Sequence, residues 1–125
     1  MLGLTACGSL GGEHGNQPAP KPATTQAPSA VQDYPAMTAE QWLGLSRTLY
    51  QDGKYVESIG AAQTSLYLKP DYAEAYNNIG AAYAALHLWD PAILADQQAV
   101  RADPKLQIAR NNLAWALTQK NLAQK

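Results

Sequence analysis

The sequence predicts an all-α fold: an array of antiparallel helix hairpins, about two and a half repeats and five helices, behind a disordered N-terminal tail. Three observations predict it. Pro70 and Pro104 stand 34 residues apart, and Asn77-Asn78 recurs on the same spacing as Asn111-Asn112. Residues in a shared phase also recur on that spacing: Trp42, Tyr76 and Arg110; Leu45, Ile79 and Leu113; Ser46, Gly80 and Ala114. A period of this length marks a stack of helical hairpins, each too small to bury its own apolar face, rather than a closed globule.

Composition divides the chain near residue 38. The first 37 residues hold five of the eight prolines and one of the ten aromatic residues. Only the remainder can bury a core, and at about 88 residues that core is modest. Within residues 1–7, Leu4-Thr5-Ala6-Cys7 reads as a lipobox. It resembles the cleavage site of bacterial lipoprotein signal peptides, in which a small residue precedes a cysteine that is alkylated on sulfur. That resemblance implies a lipid on Cys7 and a place in the bacterial cell envelope, on the periplasmic side in a Gram-negative cell. Only Met1-Leu2-Gly3 precede the motif, where a complete signal has a basic end and an apolar run of about 7–15 residues. The expectation is therefore a truncated signal remnant. Cys7 has no cysteine to pair with inside the chain.

Residues 8–37 read as a tether. The run from Gln17 to Pro28 alternates proline with small polar residues, which offer too little apolar surface to offset ordering entropy. Proline favours extended polyproline II here, and a flexible chain of this length spans roughly 30 Å.

Five helices follow. Thr38 caps the first, with Gln41 as reciprocal partner, and Asp52-Gly53 ends it. The second runs over about 54–68 and Pro70 closes it. Asp71-Tyr72-Ala73-Glu74 is read as a capping box for the third, ending near Leu86. Asp90-Pro91 starts the fourth and Asp103-Pro104 the fifth, each as an N-cap followed by proline at the first helical position. The fifth extends to about Leu122. Short connections make neighbouring helices antiparallel.

These residues resemble the tetratricopeptide repeat, W-x2-L-G-x2-Y, then A-x3-F, then P. Residues 39–72 supply Trp42, Leu45, Ser46, Leu49, Ser58, Ala62 and Pro70. Residues 73–106 supply Tyr76, Ile79, Gly80, Tyr83, Ala92, Asp96 and Pro104. Residues 107–122 supply Arg110, Leu113, Ala114 and Leu117 before the third repeat stops as a capping helix. The small residues Ser46, Gly80 and Ala114 allow close helix approach, with Ser58 and Ala92 opposite. Tyr55 and Trp89 match the aromatic that opens each second helix. Asp96 departs from the pattern, since an aspartate does not stay buried alone. Arg110 stands where an aromatic is expected, so the two are read as one ion pair between the fourth and fifth helices.

The resemblance implies a concave face built from the first helix of each hairpin. Asn77, Asn78, Asn111 and Asn112 are expected to look into it, where amides can bind the backbone of an extended peptide. Arg47 and Trp115 share a further groove-facing phase with Ala81 and complete an anchor set. A lysine-based clamp for a terminal carboxylate is not expected, because Leu43 and Ile108 stand where such lysines would be.

No catalytic or zinc-ligand spacing is present, so neither an enzyme nor a cofactor is expected. From residue 38 onward eight basic residues balance eight acidic ones, without a basic run that would suit nucleic acid. The sequence therefore reads as a lipid-anchored scaffold or assembly factor that binds a protein or peptide, not a small-molecule substrate. A soluble or homodimerising adaptor without a lipid is the alternative.

Overall fold

The computed structural model describes residues 36–125. These form five helices and no strand: α1 (Ala39–Gln51), α2 (Tyr55–Leu68), α3 (Ala73–Ala85), α4 (Trp89–Ala102) and α5 (Gln107–Ala123). The expectations for Cys7 and for nearly all of the tether lie outside the described residues.

Helix α1 starts as its sequence dictates. Thr38 Oγ1 accepts from the Gln41 amide at 3.1 Å, and Gln41 Oε1 accepts from the Thr38 amide at 2.8 Å. Two orphan donors are thereby satisfied reciprocally. The helix ends in a Schellman motif: the Lys54 amide donates to the Leu49 carbonyl and the Gly53 amide to the Tyr50 carbonyl. This needs a left-handed residue after the cap, and Gly53 takes φ 79°. Helix α3 ends in the same pattern, Leu88 to Tyr83 and His87 to Ala84, but with His87 at φ 59° in the glycine's place.

The other helix starts differ from expectation. Asp71 is not a cap: it lies in the turn at φ 63°, and α3 begins after Tyr72 with no side-chain cap. Asp90 and Pro91 lie inside the first turn of α4, which starts at Trp89. Proline is tolerated there because that turn's amides have no helical acceptor. Asp103 is the C-cap of α4 rather than the N-cap of α5. A residue before proline is pushed to extended backbone, and Asp103 has φ −144° and ψ 95°. Its carboxylate then accepts from the Lys105 amide at 2.9 Å, and α5 begins only at Gln107. Lys69, before Pro70, ends α2 in the same way at φ −136°.

Each helix packs on its chain neighbours. In addition α1 touches α3 and α3 touches α5, whereas α2 and α4 do not meet. The helices thus form two layers, α1-α3-α5 and α2-α4. The first hairpin is antiparallel, as its serines show. Ser65 donates to the Ala39 carbonyl at 2.7 Å, while Ser46 and Ser58 donate to each other's carbonyls at 2.9 and 2.7 Å. Moving forward along α1 means moving back along α2.

The core is built largely from small residues. Ala62, Ala75, Ala82, Ala92, Ala99, Ala109 and Ala116 are completely buried, with Trp42 and Leu43 as the largest apolar side chains fully inside. One apolar cluster joins Ile59, Ala62, Ile79, Ala82 and Ala95; a second joins Ala84, Ala92, Ile93 and Ala116. Small side chains let backbones approach, and close backbone approach is what holds the two layers in register. Ala114 departs from expectation. It shares a phase with buried Ser46 and Gly80 but is exposed, since α5 packs only on α3 and α4.

Candidate functional site

The α1-α3-α5 layer carries a concavity of about 300 Å³. Helix α1 contributes Arg47, Tyr50 and Gln51; α3 contributes Asn77, Asn78 and Ala81; α5 contributes Ile108 and Asn112. Three helices supply equivalent faces because the sequence repeats along them. Asn78 Nδ2 lies 3.5 Å from Ser46 Oγ, and Asn112 Nδ2 donates to Asn77 Oδ1 at 2.9 Å. These contacts tie α1 to α3 and α3 to α5 over separations of 32 and 35 residues. The asparagines are therefore both a lining and a lateral seam.

The sequence-derived residues separate into distinct roles. Asn78, Asn112 and Arg47 line the concavity, with Arg47 exposed. Asn77 also lines it but is buried to 8 % exposure, with its carbonyl oxygen committed to Asn112. Asn111 faces away from it: its side-chain oxygen accepts from Gln107 Nε2 at 2.8 Å, one turn back on the exposed side of α5. Trp115 is half-exposed and stacks edge-on against Trp89, with ring centres 5.6 Å apart. It lines a smaller neighbouring cavity of about 110 Å³ rather than the main one. Leu43 is buried and Ile108 is exposed on the groove wall.

The expected Asp96–Arg110 ion pair does not form. The Arg110 guanidinium donates to Gln107 Oε1 and to the Pro104 carbonyl at the exposed start of α5. Asp96 lies at 1 % exposure in α4, and neither carboxyl oxygen meets a hydrogen-bond partner among the described residues. The reason is geometric: α5 starts three residues after Pro104, so Arg110 lies in its first turn and folds back over the α4–α5 turn. Burial alone raises the Asp96 carboxyl to about 7. Asp96 lines the smaller cavity together with Tyr50, Ala81, Ala84, Ala85, Asn112 and Trp115.

Two lining residues were absent from the sequence reading. Tyr50 and Gln51 occupy no signature phase; they lie three and four residues after Arg47 in α1, which puts them on the same helix face. The charge of Asp96 marks it in the sequence, but spacing does not give the direction of its side chain. Among the described residues no group of His, Cys, Asp or Glu is placed to hold a metal ion, and no helix is long and apolar enough to cross a membrane. No protein-family model matches the chain, and no curated protein matches it either.

Proposed function

We propose that residues 38–125 are a tetratricopeptide-type helix-hairpin solenoid that binds an extended segment of another protein in the α1-α3-α5 groove. One observation carries the proposal. A single concavity draws amide and guanidinium groups, Asn77, Asn78, Asn112 and Arg47, from three helices in register. Amides offer both donors and acceptors, which suits a peptide backbone of varied sequence. The adjoining Ile108 and Tyr50 supply apolar contact for side chains. In this reading the module serves as a scaffold or assembly factor and performs no chemistry of its own.

The Leu4-Thr5-Ala6-Cys7 sequence supports an envelope location, with a lipid on Cys7 and residues 8–37 as tether. Palmitate labelling of the chain expressed behind a complete lipoprotein signal tests this part. Label on the wild type and none on Cys7→Ser is expected; equal label on both would contradict it.

The groove is tested with a displayed library of linear peptides. Enriched peptides should lose at least tenfold in affinity for Arg47→Ala with Asn78→Ala, and keep it for Gln63→Ala with Gln97→Ala on the outer layer. Loss on the outer-layer variant alone would overturn the groove reading.

A further inference from the structure

We propose that the cavity beside Asp96 is a receptor for a lysine side chain carried by the segment that docks in the groove. The proposal rests on the groove reading and adds the chemistry of one anchor. Four features converge on it.

The first is the carboxyl itself. Asp96 lines the cavity, is buried, and has no hydrogen-bond partner on either oxygen among the described residues. A buried polar group without a partner is costly, and a charged one more so. Burial pushes its carboxyl to about 7, and a cation held beside it would restore the ionised form.

The second is that packing does not call for a charge at this place. In the first hairpin the equivalent residue is Ala62, completely buried among apolar neighbours. Close approach there is managed by the Ser46–Ser58 hydroxyl exchange. The second hairpin instead pairs Asp96 with Gly80, whose missing β-carbon leaves the space the carboxyl occupies: a Cβ there would lie 2.0 Å from Oδ1.

The third is the rest of the wall. Asn112 spends its amide nitrogen on Asn77, which leaves its carbonyl oxygen to accept. An ammonium brings three donors on a compact head, and the two lining residues Asp96 and Asn112 both carry oxygen acceptors. Tyr50 and Trp115 add aromatic surface, which attracts cations through the ring quadrupole. Ala81, Ala84 and Ala85 complete the wall for the aliphatic stem. A guanidinium, with five donors in a fixed fork, would find too few acceptors here.

The fourth is continuity. The cavity shares Tyr50, Ala81 and Asn112 with the larger groove, so one strand can occupy both. Arg47 lines the groove but not this cavity, which gives the combined site a positive and a negative end.

The test is an NMR titration of the full chain with two blocked pentapeptides, acetyl-Ala-Ala-Lys-Ala-Ala-amide and its norleucine counterpart. The lysine peptide should bind at least tenfold tighter and shift the Trp115 indole and the Ala84 and Ala85 amides. Asp96→Asn should abolish that preference. Asp96→Ala, which copies the first hairpin's Ala62, is the second variant should the asparagine perturb folding. Equal binding of the two peptides, with shifts at Arg47, Asn78 and Ile108, would overturn the lysine site and leave the groove standing. A lysine preference that survives both Asp96 variants would overturn it too, and point to Trp115 or a surface charge. Binding of neither peptide would count against both readings.

Discussion

The Asp96 carboxyl occupies the place that a side chain on Gly80 would need. A β-carbon built on Gly80 would lie 2.0 Å from Asp96 Oδ1, 2.7 Å from its Cγ and 3.2 Å from the Ala92 carbonyl. The glycine in α3 and the aspartate in α4 thus share one space, and the interface between these helices depends on both.

Substitution at the glycines should separate by site. Gly80→Ala overpacks the α3-α4 contact and is expected to cost about 1–3 kcal/mol. Asp96→Ala in the same chain should recover most of that loss. Gly44 and Gly60 have nothing within 4 Å of an added Cβ, and both lie inside helices. Alanine there should stabilise by roughly 0.5–1 kcal/mol. Gly53→Ala, at φ 79°, should cost about 1–2 kcal/mol. Urea unfolding of the five variants checks the order.

Stability should fall with rising pH between about 4 and 7. Asp96 titrates near 3.8 when unfolded and about 7 when folded, because burial disfavours its charge. Over that window the folded state keeps a proton that the unfolded state has lost, so the unfolded state binds fewer protons and raising the pH destabilises. The full shift corresponds to roughly 4 kcal/mol as an upper bound. Among the described residues no cation offsets it: Arg110 folds back onto Gln107 and Pro104, and Lys120 pairs with Asp90 at 2.5 Å. Asp96→Ala should flatten the profile in this window. An unchanged slope in that variant would assign the effect to another group.

A double-mutant cycle between Asp96 and Arg110 should give coupling near zero. The two side chains have separate surroundings, and distant independent sites add. Arg110→Ala alone should change stability by less than about 0.5 kcal/mol, as surface changes usually do. Coupling above about 1 kcal/mol would restore the ion pair expected from the sequence.

Asn112→Ala should lower stability by about 1–3 kcal/mol, because it strands the buried carbonyl oxygen of Asn77. Asn78→Ala should be nearly neutral, since its contact with Ser46 is long at 3.5 Å. Thermal unfolding separates the two, and the result decides which asparagine is safe to use in binding experiments.

Much of the helical plan was legible in the sequence. Thr38, Gln41 and Gly53 act through local geometry, and a local signal is readable without the fold. Tyr55 and Trp89 are the first residues of their helices, at the positions the repeat pattern gives to an opening aromatic. The helix starts at Asp71, Asp90 and Asp103 misled because one aspartate serves caps, turns and helix ends alike. For Asp103 the extended backbone imposed before Pro104 decides between them. At the candidate site, Asn77, Asn78, Asn112 and Arg47 followed from phase within the repeat. Phase could not separate the lining Asn112 from its neighbour Asn111, whose side chain turns along the helix to Gln107. Nor could it foresee Tyr50, which follows Arg47 on the same face of α1 but occupies no signature phase, or the direction of Asp96, which depends on how α3 and α4 cross.

The groove reading meets its most direct test in the affinity of a library-selected peptide for Arg47→Ala with Asn78→Ala. Both changes lie on the groove, and the Asn112–Asn77 hydrogen bond is left intact. The melting temperature should match that of the wild type, while the dissociation constant rises at least tenfold. Gln63→Ala with Gln97→Ala, exposed on α2 and α4, should leave both quantities unchanged. Undiminished affinity in the groove variant, together with loss in the outer-layer variant, would place the binding surface on the opposite layer.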